Sequence, residues 1–333
     1  MIELRRGYLL FLGDVPLQLD AKTATGIAHW RPEWCVGQRR LAGCGADAGL
    51  PDMTVAAARE AGARTLVIGV APLGGRFPEA WVAEAVAALG GGLDIASGLH
   101  SRLAAIPELA AAAAAAGRHI FDIRHPDQDF ACGTGARRPG KRLLTVGTDT
   151  CVGKMFTALA LAREMAARGL KAEFRATGQT GIFIAGGGVS VDAVISDFVS
   201  GATEALAPAN DPDHWDVVEG QGSLFHPSYA GVSLGLLHGA QPDALVLCHE
   251  AGRTGIDGME HRPLPSLEDC MDLNLRTARL TNSDVRFIGV SLNTRNLDDA
   301  AAEAALAETA ARLGLPCVDP VRTGVGPLVD GLV

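Results

Sequence analysis

No two cysteines in this chain stand at CxxC spacing; its seven cysteines are scattered singly along 333 residues. That argues against a disulfide-stapled scaffold or a thiolate zinc site and fits a reducing cytoplasm. Basic residues are scarce too: 29 Lys and Arg against 38 Asp and Glu leave a formal net charge of -9. A protein that tracks nucleic acid needs a broad basic surface, so no nucleic-acid partner is expected. Nowhere do about 18 uninterrupted apolar residues occur, the length a membrane-crossing helix requires. The apolar run before Asp14 is too short for a secretory signal, so the chain reads as soluble and cytoplasmic, with no membrane partner. A hydrophobic fraction of 48% and a charged fraction of 20% argue against disorder. The length suits two domains, each able to bury its own core.

One further absence is local. Residues 143–155, LLTVGTDTCVGKM, set Gly147, Gly153 and Lys154 at phosphate-loop spacing, but Met155 stands where Ser or Thr belongs. In a nucleoside-triphosphate site the backbone N–H groups cradle the phosphates, the lysine offsets their charge and the last hydroxyl ligates Mg²⁺. Methionine has no oxygen for that ligation, so a held phosphate is expected and a resident metal is not. With 41 glycines in the chain a bare match would mean little. The flanks decide it: an apolar strand precedes the loop, and residues 155–168 read as a helix, with Phe156, Leu159 and Met165 apolar and Gly169 at its end. The cradle is then Gly147, Thr148, Asp149, Thr150, Cys151, Val152, Gly153, Lys154 and Met155. Cys151, beside Lys154 and a helix start, also has the setting of an acyl carrier, although a small loop residue is the plainer reading.

The pattern as a whole predicts an α/β protein: an N-terminal Rossmann-like parallel-sheet domain over residues 1–135, followed by a P-loop NTPase-like α/β domain over 136–333. In the first half, strands are expected at 8–12, 65–70, near 93 and at 119–123. Helices are expected at 53–61, 79–89 and 107–116, with a turn, APLGG, at 71–75. Alternation of this kind favours a parallel sheet covered on both faces. Residues 125–141, rich in Gly, Pro and charge, read as the linker. In the second half, strands are expected up to 146 and at 172–177, 216–219, 244–248 and 285–292. Helices follow the phosphate loop and Val191, and a last one spans 298–313.

Ligands in such folds collect at the carboxyl ends of strands. Candidates there are Arg175, Gln179 and Thr180, then the glycines at 186–188, whose N–H groups could bind an anion. Glu219 caps the next strand and is followed by Gln221, Ser223, His226 and Tyr229. His226 is the best-placed proton carrier near neutral pH. A second His-Glu pair, His249 and Glu250, precedes Arg253, which could clamp a carboxylate bidentately. Asn293 and Thr294 could bind a base edge, and Asp319, Arg322 and Gly324 could complete the pocket. In the first half, residues 20–26, including Lys22, and 94–98 read as loops suited to a small polar substrate.

GTDTCVGKM resembles the dethiobiotin synthetase phosphate loop, GTDTxVGKT, and VEGQGS resembles that enzyme's VEGxGG segment. Over nearly its whole length the chain is similar to a bacterial family of two-domain P-loop proteins that includes D-glutamate N-acetyltransferase. The matching segments are LDAKTATGI, VGTDTCVGKM, RATGQTGIFIAGGGVSVDAVISDFVSGA, VEGQGSLFHPSYAGVSLGLLHGAQPDALVLCHE and the closing DPVR. The resemblance implies acetyl transfer from acetyl-CoA to the amine of D-glutamate, and a pathway partner enzyme acting on N-acetyl-D-glutamate. A loop without its Mg²⁺ hydroxyl suits coenzyme A, whose phosphates need cradling but no hydrolysis. On this reading His226 is the base with Glu219 or Glu250 behind it, N–H groups of residues 178–181 hold the oxyanion, and Arg175, Arg253 or Arg322 hold the carboxylates. Two alternatives stay open: an ATP/Mg²⁺-dependent ligase or kinase of a small carboxylate, and a non-catalytic nucleotide-binding regulator. A homo-oligomer is the base-rate expectation.

Overall fold

The computed structural model describes residues 3–70, 76–126 and 128–332; the turn expected at 71–75 lies outside the described residues. The chain forms two compact units, Met1–Asp129 with Gly178–Ala193, and Phe130–Thr177 with Val194–Val333. The segment 178–193, expected within the second domain, is thus part of the first unit.

The first unit alternates β1 (Tyr8–Gly13), α1 (Lys22–Trp30), β2 (Cys35–Arg40), α2 (Val55–Glu60), β3 (Thr65–Ile68), α3 (Val82–Gly90), β4 (Asp94–Ser97), α4 (Pro107–Ala116) and β5 (Ile120–Asp122). The five strands pair in parallel in the order β2-β1-β3-β4-β5. Strands β1, β3 and β4 are buried along their whole length, as expected of a sheet covered on both faces. Local signals set the helix ends: Thr54 caps α2 through the Ala57 N–H, and α4 begins on Pro107 and stops at Gly117 in the left-handed conformation. Residues 22–26, expected as loop, begin α1, which buries Thr23, Ala24, Gly26, Ile27 and Trp30. The segment from the second half contributes its helix to this core, with Ile182, Phe183 and Ile184 fully buried. Three bonds fasten it: Leu4 N–H to the Gly186 carbonyl (3.0 Å), Arg31 Nε to the Ile184 carbonyl (2.9 Å) and Tyr8 OH to the Phe183 carbonyl (3.3 Å).

The second unit starts with β6 (Lys141–Gly147), α5 (Lys154–Ala167) and β7 (Ala172–Arg175); the helix given to the first unit is α6 (Gln179–Ala185). Then come α7 (Val199–Leu206), β8 (Trp215–Val218), α8 (Ala230–Ala240), β9 (Ala244–Glu250), a hairpin of β10 (Gly255–Ile256) and β11 (Met259–Pro263), α9 (Leu267–Ala278), β12 (Arg286–Asn293), α10 (Asp299–Leu313), β13 (Cys317–Val318) and α11 (Gly326–Asp330). The main sheet is parallel, in the order β13-β12-β9-β6-β8-β7. Leu144, Val146, Val218, Leu245, Leu247, Val290 and Leu292 pack in its core. Strand β6 is central, and the chain passes from β8 on one side of it to β9 on the other. The carboxyl end of β6 is therefore the switch point at which such sheets bind ligands. Among the described residues no helix is long and apolar enough to cross a membrane.

Candidate active site

The phosphate loop lies at that switch point, between the end of β6 and Lys154 at the start of α5. Its path requires glycine: a Cβ on Gly147 would fall 2.9 Å from the Val152 side chain and 3.0 Å from Lys154 Nζ. Gly153 (φ 106°) and Cys151 (φ 56°) take left-handed conformations that turn the loop into the helix. Val152 is buried beneath it, whereas Cys151 is exposed. Lys154 is buried, and its ammonium donates to the Asp149 carbonyl at 2.6 Å. Burial pushes its pKa below the ordinary lysine range, against the pull of Cys248, Cys151, Asp149 and Glu219. Met155 is half-buried at the position of the missing hydroxyl.

Asp149 fastens the loop. Fully buried, it accepts from the Thr150 N–H (2.7 Å), the Asp257 N–H (2.7 Å) and Arg253 Nη1 (3.0 Å). Thr150 Oγ1 donates to Asp257 Oδ2 at 2.8 Å, so loop and hairpin are tied twice. On the other flank Ser223 Oγ donates to the Thr148 carbonyl (3.0 Å), and the Gly220 N–H donates to Thr145 Oγ1 (3.0 Å). Thr148 Oγ1 meets His249 Nδ1 at 2.9 Å.

Several expected ligand-binding side chains are occupied by the protein itself. Arg253 spends its guanidinium on Asp149, the Thr150 carbonyl and Glu250 instead of presenting a free clamp. Arg175 turns along β7 to Asp216 (2.7 Å) and Glu173 (2.9 Å). It thereby pairs with both carboxylates of the Glu173, His214 and Asp216 group, whose ligand atoms come within 4.8 Å of one another. Arg322 is held by Asp299 and the Leu297 carbonyl (2.7 Å). Ser223 is buried in loop packing, and Glu250 is bound by Arg253, Arg295 and Asn296. Lys22, Gln179 and Thr180 belong to the first unit, where Thr180 Oγ1 meets Thr23 Oγ1 at 3.2 Å and Gln179 packs on Gly98. Residues 178–181, whose N–H groups were expected to hold an oxyanion, are the N-cap and first turn of α6.

His226 is the principal correction. It is 3% exposed; its Nδ1 accepts the Ser228 N–H (3.1 Å), and its Nε2 lies 3.3 Å from the Asp257 carbonyl. An amide N–H can only donate and a carbonyl can only accept, so the proton sits on Nε2 and the Nδ1 lone pair is used. The ring also packs on Tyr229, at 4.4 Å between centroids. No lone pair remains to take a substrate proton, so the residue braces the loop before α8. His226→Leu is expected to cost about 1–3 kcal/mol through the two orphaned backbone groups, read as a lower melting temperature with turnover retained by the folded enzyme.

Glu219 is buried and accepts the Thr177 N–H at 3.0 Å, while Gln221 Nε2 donates to Thr177 Oγ1 at 3.1 Å. Asn293 sits beside Gly153, its Cβ 3.9 Å from where a Gly153 Cβ would be, and Tyr229 is 49% exposed. Of these, Gln221 and Asn293 are partly exposed and Tyr229 is exposed, so their side chains can reach a ligand, whereas Glu219 is buried. Sequence reasoning missed Asp257 and Arg295; nothing local marks them, because their partners lie in distant segments.

Residues 129–329 match a family model described as Domain of unknown function (DUF1611_C) P-loop domain. The chain belongs to the DUF1611 family. Residues 36–126 match the N-terminal model of the same family, described as a Rossmann-like domain. Two relatives of this DUF1611 chain carry the name D-glutamate N-acetyltransferase. One, from Tritonibacter scottomollicae, is 54% identical over 98% of each chain. The other, from a Pseudoalteromonas species, is 45% identical over 99% of this chain and 100% of its own. A crystal structure of a DUF1611 family protein from Anabaena variabilis ATCC 29413 has a TM-score of 0.88 at 35% identity, covering 98% of this chain and 99% of that one.

Proposed function

We propose that this chain is a D-glutamate N-acetyltransferase that draws its acetyl group from acetyl-CoA held at the phosphate loop. The observation that carries the activity is the 54% identity, over 98% of both chains, to a relative of that name. The choice of donor is supported by the loop's chemistry. Lys154 and the loop N–H groups suit the phosphates of coenzyme A, and Met155 offers no oxygen to the Mg²⁺ that ATP hydrolysis requires. The amine of D-glutamate would attack the thioester carbonyl directly. The product, N-acetyl-D-glutamate, would then pass to a further enzyme.

The test is thiol release from acetyl-CoA with D- or L-glutamate, without ATP and with EDTA present. Release with D-glutamate is the expected result; no release, but Mg²⁺-dependent ADP formation with a small carboxylate, would favour a ligase instead. Lys154→Met is expected to raise the acetyl-CoA KM with little change in kcat, because phosphates remote from the thioester bind ground and transition states alike. Losing one charge-assisted bond of about 1.5–3 kcal/mol corresponds to roughly 10- to 150-fold in KM. An unaltered KM would mean that the loop does not hold the cosubstrate.

A further inference from the structure

We infer that His249 is the general base of the acetyl transfer and that Thr148 orients its ring; the inference rests on the acetyltransferase reading above. His249 stands near the carboxyl end of β9, and its partly exposed ring is pinned to the phosphate loop by the 2.9 Å contact of Nδ1 with Thr148 Oγ1. When Nδ1–H donates to that hydroxyl, the lone pair sits on Nε2, and among the described residues Nε2 has no hydrogen-bond partner. Thr148 is itself 1% exposed and anchored through its own N–H and carbonyl, which makes it a positioning residue and keeps it from serving as a nucleophile.

Four other titratable groups around the loop are committed, while Asp257, which accepts from Thr150 Oγ1, and Cys151 are exposed to solvent. His226 has both nitrogens on backbone groups. Asp149 accepts on both oxygens, Glu250 is bound by two guanidinium groups, and Glu219 accepts the Thr177 N–H.

Burial chiefly, with Arg253 next, pushes the His249 pKa down to about 4; Glu250 opposes the shift and Arg312 adds to it. The ring is therefore neutral and able to accept a proton above about pH 4, and protonated and idle below it. The chemistry balances with this one group. The substrate ammonium loses its first proton to solvent, and the neutral amine attacks the thioester carbonyl, forming the C–N bond and an oxyanion. His249 Nε2 takes the second proton from the now-cationic nitrogen. The oxyanion collapses, the C–S bond breaks with its electron pair on sulfur, and the imidazolium returns the proton to the thiolate.

The experiment is steady-state kinetics of the full chain with acetyl-CoA and D-glutamate across pH, with coenzyme A affinity measured by calorimetry. His249→Gln should lower kcat by about 10²- to 10⁴-fold while coenzyme A binding is retained. On the acid side, where protonation of the substrate amine already lowers kcat/KM, a further acid limb from the enzyme should appear near pH 4, not at the 6.5 of an unperturbed histidine. Thr148→Val keeps the ring but removes its partner; it should lower kcat and move that acid limb, which a merely structural contact would not do. Wild-type kcat in the glutamine variant, or an unmoved limb in the valine variant, overturns the assignment. A wild-type enzyme that forms no N-acetyl-D-glutamate overturns the acetyltransferase reading itself, a result distinct from either.

Discussion

Replacing Asp149 with alanine is expected to cost the P-loop unit about 3 kcal/mol, at the low end of what breaking a buried ion pair costs. The carboxylate is fully buried and accepts from Thr150, Asp257 and Arg253 together. Its removal leaves two backbone N–H groups without their acceptor and takes from Arg253 Nη1 one of its two, the Thr150 carbonyl remaining. The low end applies because Arg253 keeps Glu250 as a partner. At roughly 2–4 °C per kcal/mol for a unit of this size, melting should fall by about 6–12 °C. Affinity for the proposed acetyl-CoA donor should fall with it, since the loop and the hairpin lose their common fastener. Asp149→Asn should fall less, because an amide oxygen in the place of Oδ2 still accepts from the Asp257 N–H and from Arg253 Nη1, while the Thr150 N–H, bonded to Oδ1, loses its acceptor. An alanine variant with native melting and native KM would show that the buried pair holds nothing.

Gly220→Ala should prevent the P-loop unit from folding at all. A Cβ there would lie 1.6 Å from the Thr145 carbonyl oxygen and 3.1 Å from Lys154 Cδ. The backbone cannot give way: β6 and β8 are paired up to Leu144 and Val218, and the Gly220 N–H is bonded to Thr145 Oγ1. Relief would require opening the sheet at the switch point, at a cost beyond the roughly 4–5 kcal/mol that marks an exceptional substitution. Gly231→Ala is the natural comparison. That glycine lies near the start of α8 with nothing within 4 Å of its would-be Cβ, so alanine should be neutral or stabilise by up to about 1 kcal/mol. Soluble yield and melting of the two variants side by side check both statements; a soluble, normally melting Gly220→Ala would show that the sheet yields where its pairing says it cannot.

The phosphate loop was legible because everything that makes it is local: glycine spacing, an apolar strand before it and a periodic helix after it. The α4 boundaries were legible for the same reason, since Pro107 and Gly117 carry their conformations with them. Helix α1 was not. Its sequence, KTATGIAHW, has weak intrinsic helix propensity, and its helix is stabilised by the burial of one face. Residues 178–181 were read for their backbone N–H groups, and the helix they start was not foreseen, because its packing in the first unit lies beyond local signals. The arginines were misread because a guanidinium's partner cannot be seen from its own position: Arg175 finds Asp216 41 residues away, and Arg253 finds Asp149 104 residues away. His226 and His249 look alike in sequence, each in the stretch where an apolar strand gives way to loop. Only the direction of two backbone groups tells a brace from a proton carrier.

The lodging of segment 178–193 in the first unit imposes an order on synthesis. The fifth strand of that unit ends at Asp122, yet its core awaits residues up to Ala193. At 5–20 residues per second, the interval between the two is roughly 4–14 s. During it, the apolar surface that Ile182, Phe183 and Ile184 will cover stays bare while β6, α5 and β7 are already emerging from the ribosome. The newborn first unit must wait, half-finished, for a piece encoded inside its neighbour, and a gene cut at any single point between the halves would leave it waiting permanently.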